Sequence, residues 1–277
     1  MKDFLIADLH LHSHYSDGED SPQQLVKKCK QRGLEAISLT DHDTVDGVKE
    51  MMSHGKKEGI NCISGIELST FHNTEIHILG YNFDINNTAF KQKLNVINQH
   101  RVHRVKRITH KLNELGIDIT EQEIYLQGGK SSSVGRVHIA KVLVNKKIMP
   151  SVKDAFDKLL SAGKVAYVPS CRIETKQAID LIKEAGGKSV LAHPFIIDIR
   201  FDKLLPLIMQ LKEWGIDGIE SVYYTHNKFE SDFLKETAKK LNLISTCGSD
   251  YHGSIRAAST ISGFELSAED YNKLTRR

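Results

Sequence analysis

Imidazole and carboxylate side chains recur at short spacings along this chain of 277 residues, which contains 14 histidines. His10 and His12 form the first pair, and alternate side chains of an extended strand point to the same side. Similar residues occur in or shortly after predicted strands at His42, Glu67, His77, His193, Asp250 and His252. Histidine nitrogens and carboxylate oxygens are ligands that suit Mn²⁺, Zn²⁺ or Fe²⁺. The set therefore predicts a site for several divalent cations.

The simpler interpretation of each of these residues is structural. A single histidine, or one isolated H-x-H pair, is more often a core or surface residue than a metal ligand. The joint occurrence of such residues at the ends of nearly all predicted strands is what favours a multinuclear metal site. The carboxyl ends of parallel barrel strands meet at one mouth, so these side chains would share one rim.

The cysteines argue against a thiolate metal site and against a disulfide framework. Cys29, Cys62, Cys171 and Cys247 are scattered and form no C-x-x-C pair. We expect most of them to be small buried side chains, with Cys171 the candidate for exposure.

Short apolar runs alternate with helical patterns, which is typical of β/α units around a parallel sheet. Strands are predicted near residues 4–9, 36–39, 62–66, 75–81, 189–192, 218–220 and 243–246. Helices are predicted from residue 22 to Gly33, from Val45 to Lys57, and near 174–185, 203–213 and 228–241. About seven such repeats predict an α/β fold with a slightly incomplete barrel of the TIM type.

Residues 87–163 have a different, purely helical pattern. Apolar residues recur there at steps of three and four, which predicts one long amphipathic helix: Leu94, Ile97, Val105, Ile108, Leu112 and Leu115. Its other face is basic, with Arg101, Arg104, Lys106, Arg107 and Lys111. That face is either a solvated surface or a contact surface for an anionic substrate. We predict a helical insertion that covers the active site, between barrel segments 1–86 and 164–277.

Composition excludes other classes of protein. With 40% hydrophobic and 26% charged residues, the chain is typical of globular proteins. No apolar run approaches the roughly 18 residues that a membrane span needs, and the N-terminus lacks the apolar core of a signal peptide. We therefore expect no membrane partner and a cytoplasmic location. A net charge of +3 is too small to indicate a general nucleic-acid binder.

Taken together, the motifs resemble the PHP domain family (polymerase and histidinol phosphatase), and the resemblance covers nearly the whole chain. They are Asp8-Leu9-His10-Leu11-His12, Ser16-Asp17-Gly18, Thr40-Asp41-His42-Asp43, Gly65-Ile66-Glu67, Ala192-His193-Pro194 and Gly248-Ser249-Asp250-Tyr251-His252-Gly253. The resemblance implies a distorted TIM-like (β/α)7 barrel of PHP type with a helical insertion.

It also implies three divalent metal ions, with Mn²⁺ expected and Zn²⁺ or Fe²⁺ as alternatives. The first ion would be held by His10, His12, Glu67 and Asp250. Glu67 would bridge to a second ion, bound also by His77 and His193, and the third would be held by Asp17, His42 and His252. Amidohydrolases also begin with H-x-H, but commonly bridge two metals with a modified lysine, whereas here the bridging position is Glu67.

This ligand set attracts anions. Six neutral imidazoles and three carboxylates around three divalent ions leave a formal surplus of about +3, which suits a bridging hydroxide and a phosphoryl group. Arg136 and Arg172 are the predicted phosphate-binding residues, with a structural salt bridge as the alternative for Arg136. His226 is a candidate for contacting the substrate or donating a proton. Asp41 either fixes the tautomer of an imidazole from outside the ligand set or caps the loop next to Thr44.

The resemblance implies a phosphoesterase in which metal-bound hydroxide attacks a phosphate ester. The subgroup with such an insertion includes 3′,5′-nucleoside bisphosphate phosphatases and enzymes that trim short RNAs from the 5′ end, so we expect a nucleotide or short RNA as substrate. Histidinol-phosphate phosphatase is an alternative, although that branch usually lacks this insertion. A non-catalytic PHP accessory or binding module is an alternative of another class, although degenerate domains typically lose ligands. The sequence does not predict the oligomeric state.

Overall fold

A computed structural model describes residues 2–170, 172–256 and 259–276, so the prediction about Cys171 lies outside the described residues. The strands are β1 Phe4–Leu11, β2 Ala36–Leu39, β3 Asn61–His72, β4 Thr74–Tyr81, β5 Ile173–Glu174, β6 Lys188–Leu191, β7 Gly218–Tyr223, β8 Ile244–Gly248 and β9 Phe264–Ser267. The α-helices are α1 Pro22–Gln31, α2 Val48–Glu58, α3 Thr88–Glu114, α4 Glu121–Gly128, α5 Arg136–Asn145, α6 Val152–Ala155, α7 Thr175–Glu184, α8 Phe201–Glu213, α9 Lys228–Lys240 and α10 Ala268–Thr275.

One sheet carries these strands in the order β8-β7-β6-β4-β3-β2-β1-β9, with β5 paired to β3. The pairs within β1-β2-β3 and within β6-β7-β8 are parallel, whereas β4 is antiparallel to β3 and β6, and β9 is antiparallel to β1. A parallel bridge between Leu11, at the end of β1, and Tyr251, just after β8, brings the two sides of the sheet together. The predicted distorted barrel is therefore confirmed, with two strands running against the direction that β/α repeats would give.

The local signals in the sequence explain most helix boundaries. α1 begins after Ser21, whose hydroxyl oxygen accepts a hydrogen bond from the N–H of Gln24. The side-chain oxygen of Gln24 in turn accepts the N–H of Ser21, and this reciprocal pair is a capping box. α2 begins at Val48, three residues later than Val45, where we predicted it. The reason is a turn, since Asp43 has a φ of 54° and the Asp46 N–H donates to the Thr44 hydroxyl.

The barrel interior is a packed apolar core that includes Leu9, Leu79, Tyr81, Val190 and Cys247. The hydroxyl of Tyr81 is fully buried and donates to the carbonyl of Leu9 at 2.9 Å. Close packing of this core fixes the positions of the strands relative to one another.

The helical segment starts with α3, and the predicted apolar positions of α3 are buried with one exception. Leu115 is 49% exposed because α3 ends at Glu114, so including it in the buried face was wrong. The C-terminal half of α3 packs with α4 to α6 around a separate apolar cluster that includes Val105, Ile108, Leu112, Ile139 and Leu160. Among the described helices, none has the length and apolar character needed to cross a membrane.

Candidate metal centre

The predicted ligands lie together at one mouth of the barrel, and we call these nine residues the ligand cluster. Three groups of donor atoms lie within 4.8 Å of one another: His10, His12, Glu67 and Asp250; His12, Asp17, His42 and His252; and His42, Glu67 and His77. Nε2 of His193 lies 3.0 Å from Oε1 of Glu67, so this imidazole adjoins the third group through the same carboxylate. Glu67 is fully buried and lies at the middle of the cluster.

The ligand side chains come from the ends of parallel strands and from the antiparallel strand β4. His10 is at the end of β1 and Glu67 lies within β3, where a bridge pairs it with His42. His77 lies opposite Ser69 in the antiparallel β3–β4 pair, so it comes from the first half of its strand rather than from a carboxyl end. His193 and Asp250 have φ angles of 29° and 50°, an unfavourable backbone conformation that is often found at functional sites.

Several donor atoms point at one another without making hydrogen bonds. Oε2 of Glu67 lies 3.3 Å from Nε2 of His10, 3.2 Å from Nε2 of His12 and 3.1 Å from Nδ1 of His42. All four atoms are buried and lack a hydrogen-bond partner among the described residues. Buried polar atoms are almost always satisfied, so donors that converge in this way fit a cation held between them.

The electrostatics of the cluster reflect the same crowding. Burial alone lowers the pKa of His12, but contacts with Asp250 and Glu67 outweigh it and raise this pKa to about 9. Burial likewise lowers the pKa of His77, and Glu67 raises it to about 10. Burial raises the pKa of Glu67, but the neighbouring imidazoles of His42, His77 and His10 hold it well below its usual range. The carboxylate thus stays ionised and available to a cation.

Two buried residues that the sequence analysis missed orient the ligands. Nδ1 of His10 lies 2.9 Å from Oε1 of Glu220, while Oε2 of Glu220 accepts the backbone N–H of His193 at 2.7 Å. The hydroxyl of Tyr223 donates to Oδ2 of Asp250 at 2.8 Å. Both residues lie on β7, where an acidic residue within a buried strand is the signal that could have identified Glu220.

Asp41 organises the loop that carries Asp17. Its carboxylate accepts hydrogen bonds from the N–H and the hydroxyl of Ser13, at 2.7 and 2.6 Å, and from the hydroxyl of Ser16 at 2.6 Å. That hydroxyl lies 3.5 Å from Nδ1 of His12, so among the described hydrogen bonds Asp41 is linked to an imidazole through Ser16.

A cavity of about 210 Å³ opens beside the ligand cluster, under the helical segment. Asp17, His42 and His77 form part of its wall, and four arginines form another part: Arg101 and Arg104 from α3, Arg136 from α5, and Arg172 next to β5. The basic face of α3 is therefore divided. Arg101 and Arg104 face the cavity, whereas Lys106 and Arg107 are exposed.

The four arginines differ in how fully their donors are used. Arg101 pairs with the buried carboxylate of Asp43, and Arg172 pairs with Glu75. Nη2 of Arg104 and Nε of Arg172 are buried without a hydrogen-bond partner among the described residues. Burial and the nearby Arg136 and Arg172 lower the pKa of Arg104 to about 9, so the cavity concentrates positive charge that an anion would relieve.

The remaining predicted site residues lie as follows. Arg136 lines the cavity, donates to the carbonyl of Leu160 at 3.3 Å and stacks its guanidinium 5.4 Å above the ring of Phe156. His226 lies elsewhere, half-buried on the β7 side, and its ring contacts those of Tyr223 and Phe195 at 5.3 and 5.4 Å. The structure thus places both predicted arginines, but not His226, in the wall of the cavity.

Comparisons with known proteins agree with this geometry. A model of the PHP domain matches residues 8–184. The 5′-3′ exoribonuclease of Haemophilus influenzae is 34% identical over 88% of this chain and 89% of its own length. The 3′,5′-nucleoside bisphosphate phosphatase of Chromobacterium violaceum is 28% identical over 88% of this chain and 86% of its own. A Bifidobacterium adolescentis structure assigned as a metal-dependent phosphoesterase superimposes with a TM-score of 0.86, at 26% identity, over 97% of this chain and 94% of that one.

Proposed function

The chain belongs to the PHP domain family and is a metal-dependent phosphoesterase, and from this premise we propose a substrate for it. The substrate is a nucleotide or short oligonucleotide that carries a 5′-phosphate and is hydrolysed at its 3′-phosphate group. In a 3′,5′-nucleoside bisphosphate that group is a terminal monoester. In a short RNA it is the first phosphodiester, so the same geometry would remove one nucleotide from the 5′ end.

The unpaired arginine donors of the cavity carry this proposal. Nη2 of Arg104 and Nε of Arg172 are buried beside the ligand cluster and lack a partner among the described residues. Arginine is the residue best suited to planar recognition of phosphate, and buried donors without partners are unfavourable. A second phosphate in the cavity would satisfy them while the phosphate to be hydrolysed lies at the cluster.

We propose three divalent ions in the cluster, with Mn²⁺ preferred and Zn²⁺ or Fe²⁺ as alternatives. His10, His12, Glu67 and Asp250 would hold the first; Glu67, His77 and His193 the second; and Asp17, His42 and His252 the third. The convergence of buried donors on Glu67 supports this arrangement. When bound, paired divalent ions lower the pKa of water and stabilise charge on phosphoryl oxygens.

The chain's own residues contribute orientation and charge. Glu220 holds His10 with its Nε2 directed at Glu67, and Tyr223 fixes Asp250. The arginines draw the substrate's second phosphate under α3, which places the ester within reach of the cluster. His226 lies on the β7 side of the cluster and outside the wall of the arginine cavity. Its role as proton donor stays a prediction.

The test is hydrolysis by Mn²⁺-loaded protein. We expect phosphate release from 3′-phosphoadenosine 5′-phosphate and release of 5′-mononucleotides from a 5′-phosphorylated short RNA, both abolished by His193→Ala. His110→Ala is the matched control, because that histidine is exposed on α3. Turnover of histidinol phosphate alone would assign the chain to that branch, and no turnover of any phosphate ester would favour a binding module.

A further inference from the structure

Aromatic rings connect the ligand cluster to the protein surface. The ring of His193 contacts that of Tyr223 at 5.5 Å, and Tyr223 contacts His226 at 5.3 Å. From His226 the contacts continue to Phe195 at 5.4 Å, from Phe195 to Phe201 at 5.8 Å, and from Phe201 to Phe229 at 6.4 Å. The path leads from a predicted metal ligand to the ends of α8 and α9, away from the arginine cavity.

The outer end of this path is an exposed apolar surface. Ile196, Phe201 and Phe229 are 52%, 54% and 66% exposed. Two of the three are aromatic, and we call the three residues together the aromatic surface. Phe201 and Phe229 adjoin each other, and exposed large apolar side chains that adjoin on a globular protein often mark a binding site. Cationic residues flank both phenylalanines, because Arg200 precedes Phe201 and Lys228 precedes Phe229.

These cations are available to a ligand. Arg200 contacts Asp202 at 3.0 Å and Lys228 contacts Asp232 at 2.7 Å, and the side chains of all four residues are exposed. Exposed ion pairs of this kind contribute little free energy, so either cation can turn to another anion. Aromatic rings interleaved with cations are the usual means of binding single-stranded nucleic acid, in which bases stack and phosphates pair.

A groove joins the aromatic surface to the ligand cluster. Its wall includes His77 and His193 of the cluster and Ile196 of the aromatic surface, together with the acidic side chains of Glu75 and Asp198. Glu75 and His77 also belong to the wall of the arginine cavity, so the two depressions adjoin on either side of these residues. A phosphodiester at the cluster would thus have space for a nucleotide on each side, whereas a terminal monoester needs only one.

On the basis of the proposed function, we infer that the aromatic surface binds the oligonucleotide on the 3′ side of the phosphate that is hydrolysed. The 5′ nucleotide lies in the arginine cavity, the chain crosses the groove, and the next bases stack on Phe201 and Phe229. The surface would therefore favour oligonucleotides over 3′,5′-nucleoside bisphosphates, which end at the cluster.

The experiment compares two substrates of Mn²⁺-loaded protein. We expect Phe201→Ala/Phe229→Ala to lower kcat/KM for a 5′-phosphorylated pentaribonucleotide about 10-fold or more, through a higher KM. The same variant should hydrolyse 3′-phosphoadenosine 5′-phosphate at the wild-type rate. Phe201→Trp/Phe229→Trp should restore pentanucleotide turnover, and Met209→Ala, which removes another exposed apolar residue of α8, should change neither substrate.

Other outcomes overturn the inference. An equal loss with both substrates would mean that the phenylalanines support the fold, and no loss with either would mean that the surface does not bind the chain. Sedimentation of wild type as a dimer that the double substitution dissociates would identify a contact between copies instead. If wild-type protein hydrolyses neither substrate, the proposed function fails separately. Fluorescence anisotropy of a labelled pentanucleotide on the two proteins then tests the surface directly, and equal affinities would refute it.

Discussion

Oε1 of Glu220 accepts a hydrogen bond from Nδ1 of His10 at 2.9 Å, and both side chains are fully buried. This contact sets the tautomer of the ring, because a proton on Nδ1 leaves Nε2 free to face Glu67 and Asp250. The other oxygen of Glu220 holds the backbone of His193. One carboxylate outside the ligand cluster therefore orients two of its members.

We predict that Glu220→Gln weakens metal binding. The amide has only one oxygen, so its NH₂ group would face either Nδ1–H of His10 or the N–H of His193, and one buried donor would lose its partner. We expect metal affinity to fall about 10–100-fold, measured by equilibrium titration of the metal-free protein. Glu213→Gln, at the end of α8, is the control, and unchanged affinity in Glu220→Gln would refute the positioning role.

Arg136→Ala tests the cavity as a phosphate site. The charge-assisted hydrogen bonds of a guanidinium to phosphate contribute about 1.5–3 kcal/mol, so kcat/KM for 3′-phosphoadenosine 5′-phosphate should fall about 10–100-fold. The number of bound metal ions, measured by elemental analysis, should not change because Arg136 touches none of the ligand cluster in the described contacts. Arg107→Ala, on the exposed side of α3, should leave kcat/KM unaltered.

Metal binding should release protons. In the metal-free protein the pKa of His12 is about 9 and that of His77 about 10, so both rings are protonated at pH 7. Ligating imidazoles must be neutral, so each of these protons leaves as metal binds, and apparent affinity rises with pH until the pH passes these values. Calorimetry in two buffers of different ionisation enthalpy counts the protons. The His77→Ala variant should release fewer protons when it binds metal. Heats of metal binding that do not depend on the buffer would contradict the prediction.

The sequence could group most members of the ligand cluster because strand geometry determines their direction, whereas Asp17 lies in a loop and was included only through the family resemblance. Parallel strands bring their carboxyl ends to one mouth, so His10, His42 and Asp250 could be grouped without coordinates. His77 was grouped with them as a residue of the fourth predicted strand; β4 in fact runs antiparallel, and period-two alternation still directs His77 to the mouth. The direction of β4 itself depends on the tight β3–β4 turn near Asn73, which has a φ of 60° and no distinctive local pattern.

What lies around the cluster was harder to predict, because it depends on contacts between distant segments. Glu220 is the last residue of the predicted strand 218–220, and no local pattern shows that its partner is His10, 210 positions away. β9 was missed because four residues of mixed polarity carry little strand signal, and its pairing with β1 is a long-range contact. The pairing of Arg101 with Asp43, which fixes α3 over the mouth, likewise cannot be deduced from helical periodicity.

Gly248 explains why the last motif begins with glycine. A Cβ at this position would lie 2.2 Å from Cβ of His10 and 2.7 Å from Oε1 of Glu220, where no atom can fit. Gly248 ends β8, and its lack of a side chain lets β8 lie close to His10 of β1. The glycine is thus required by the packing of His10 and Glu220 rather than by an unusual backbone angle.

We therefore predict that Gly248→Ala displaces the His10–Glu220 pair. The chain should lose stability by about 1–3 kcal/mol, the range for overpacked cores, and should bind fewer metal ions at saturation because His10 leaves its position. Urea unfolding with and without Mn²⁺ measures both effects, since a lost site lowers the stabilisation that the metal provides. Gly33→Ala is the control: φ there is 75°, so the substitution strains the backbone, but no atom lies within 4 Å of the new Cβ. If Gly33→Ala and Gly248→Ala reduce the Mn²⁺-dependent stabilisation equally, the close packing at β8 does not position His10.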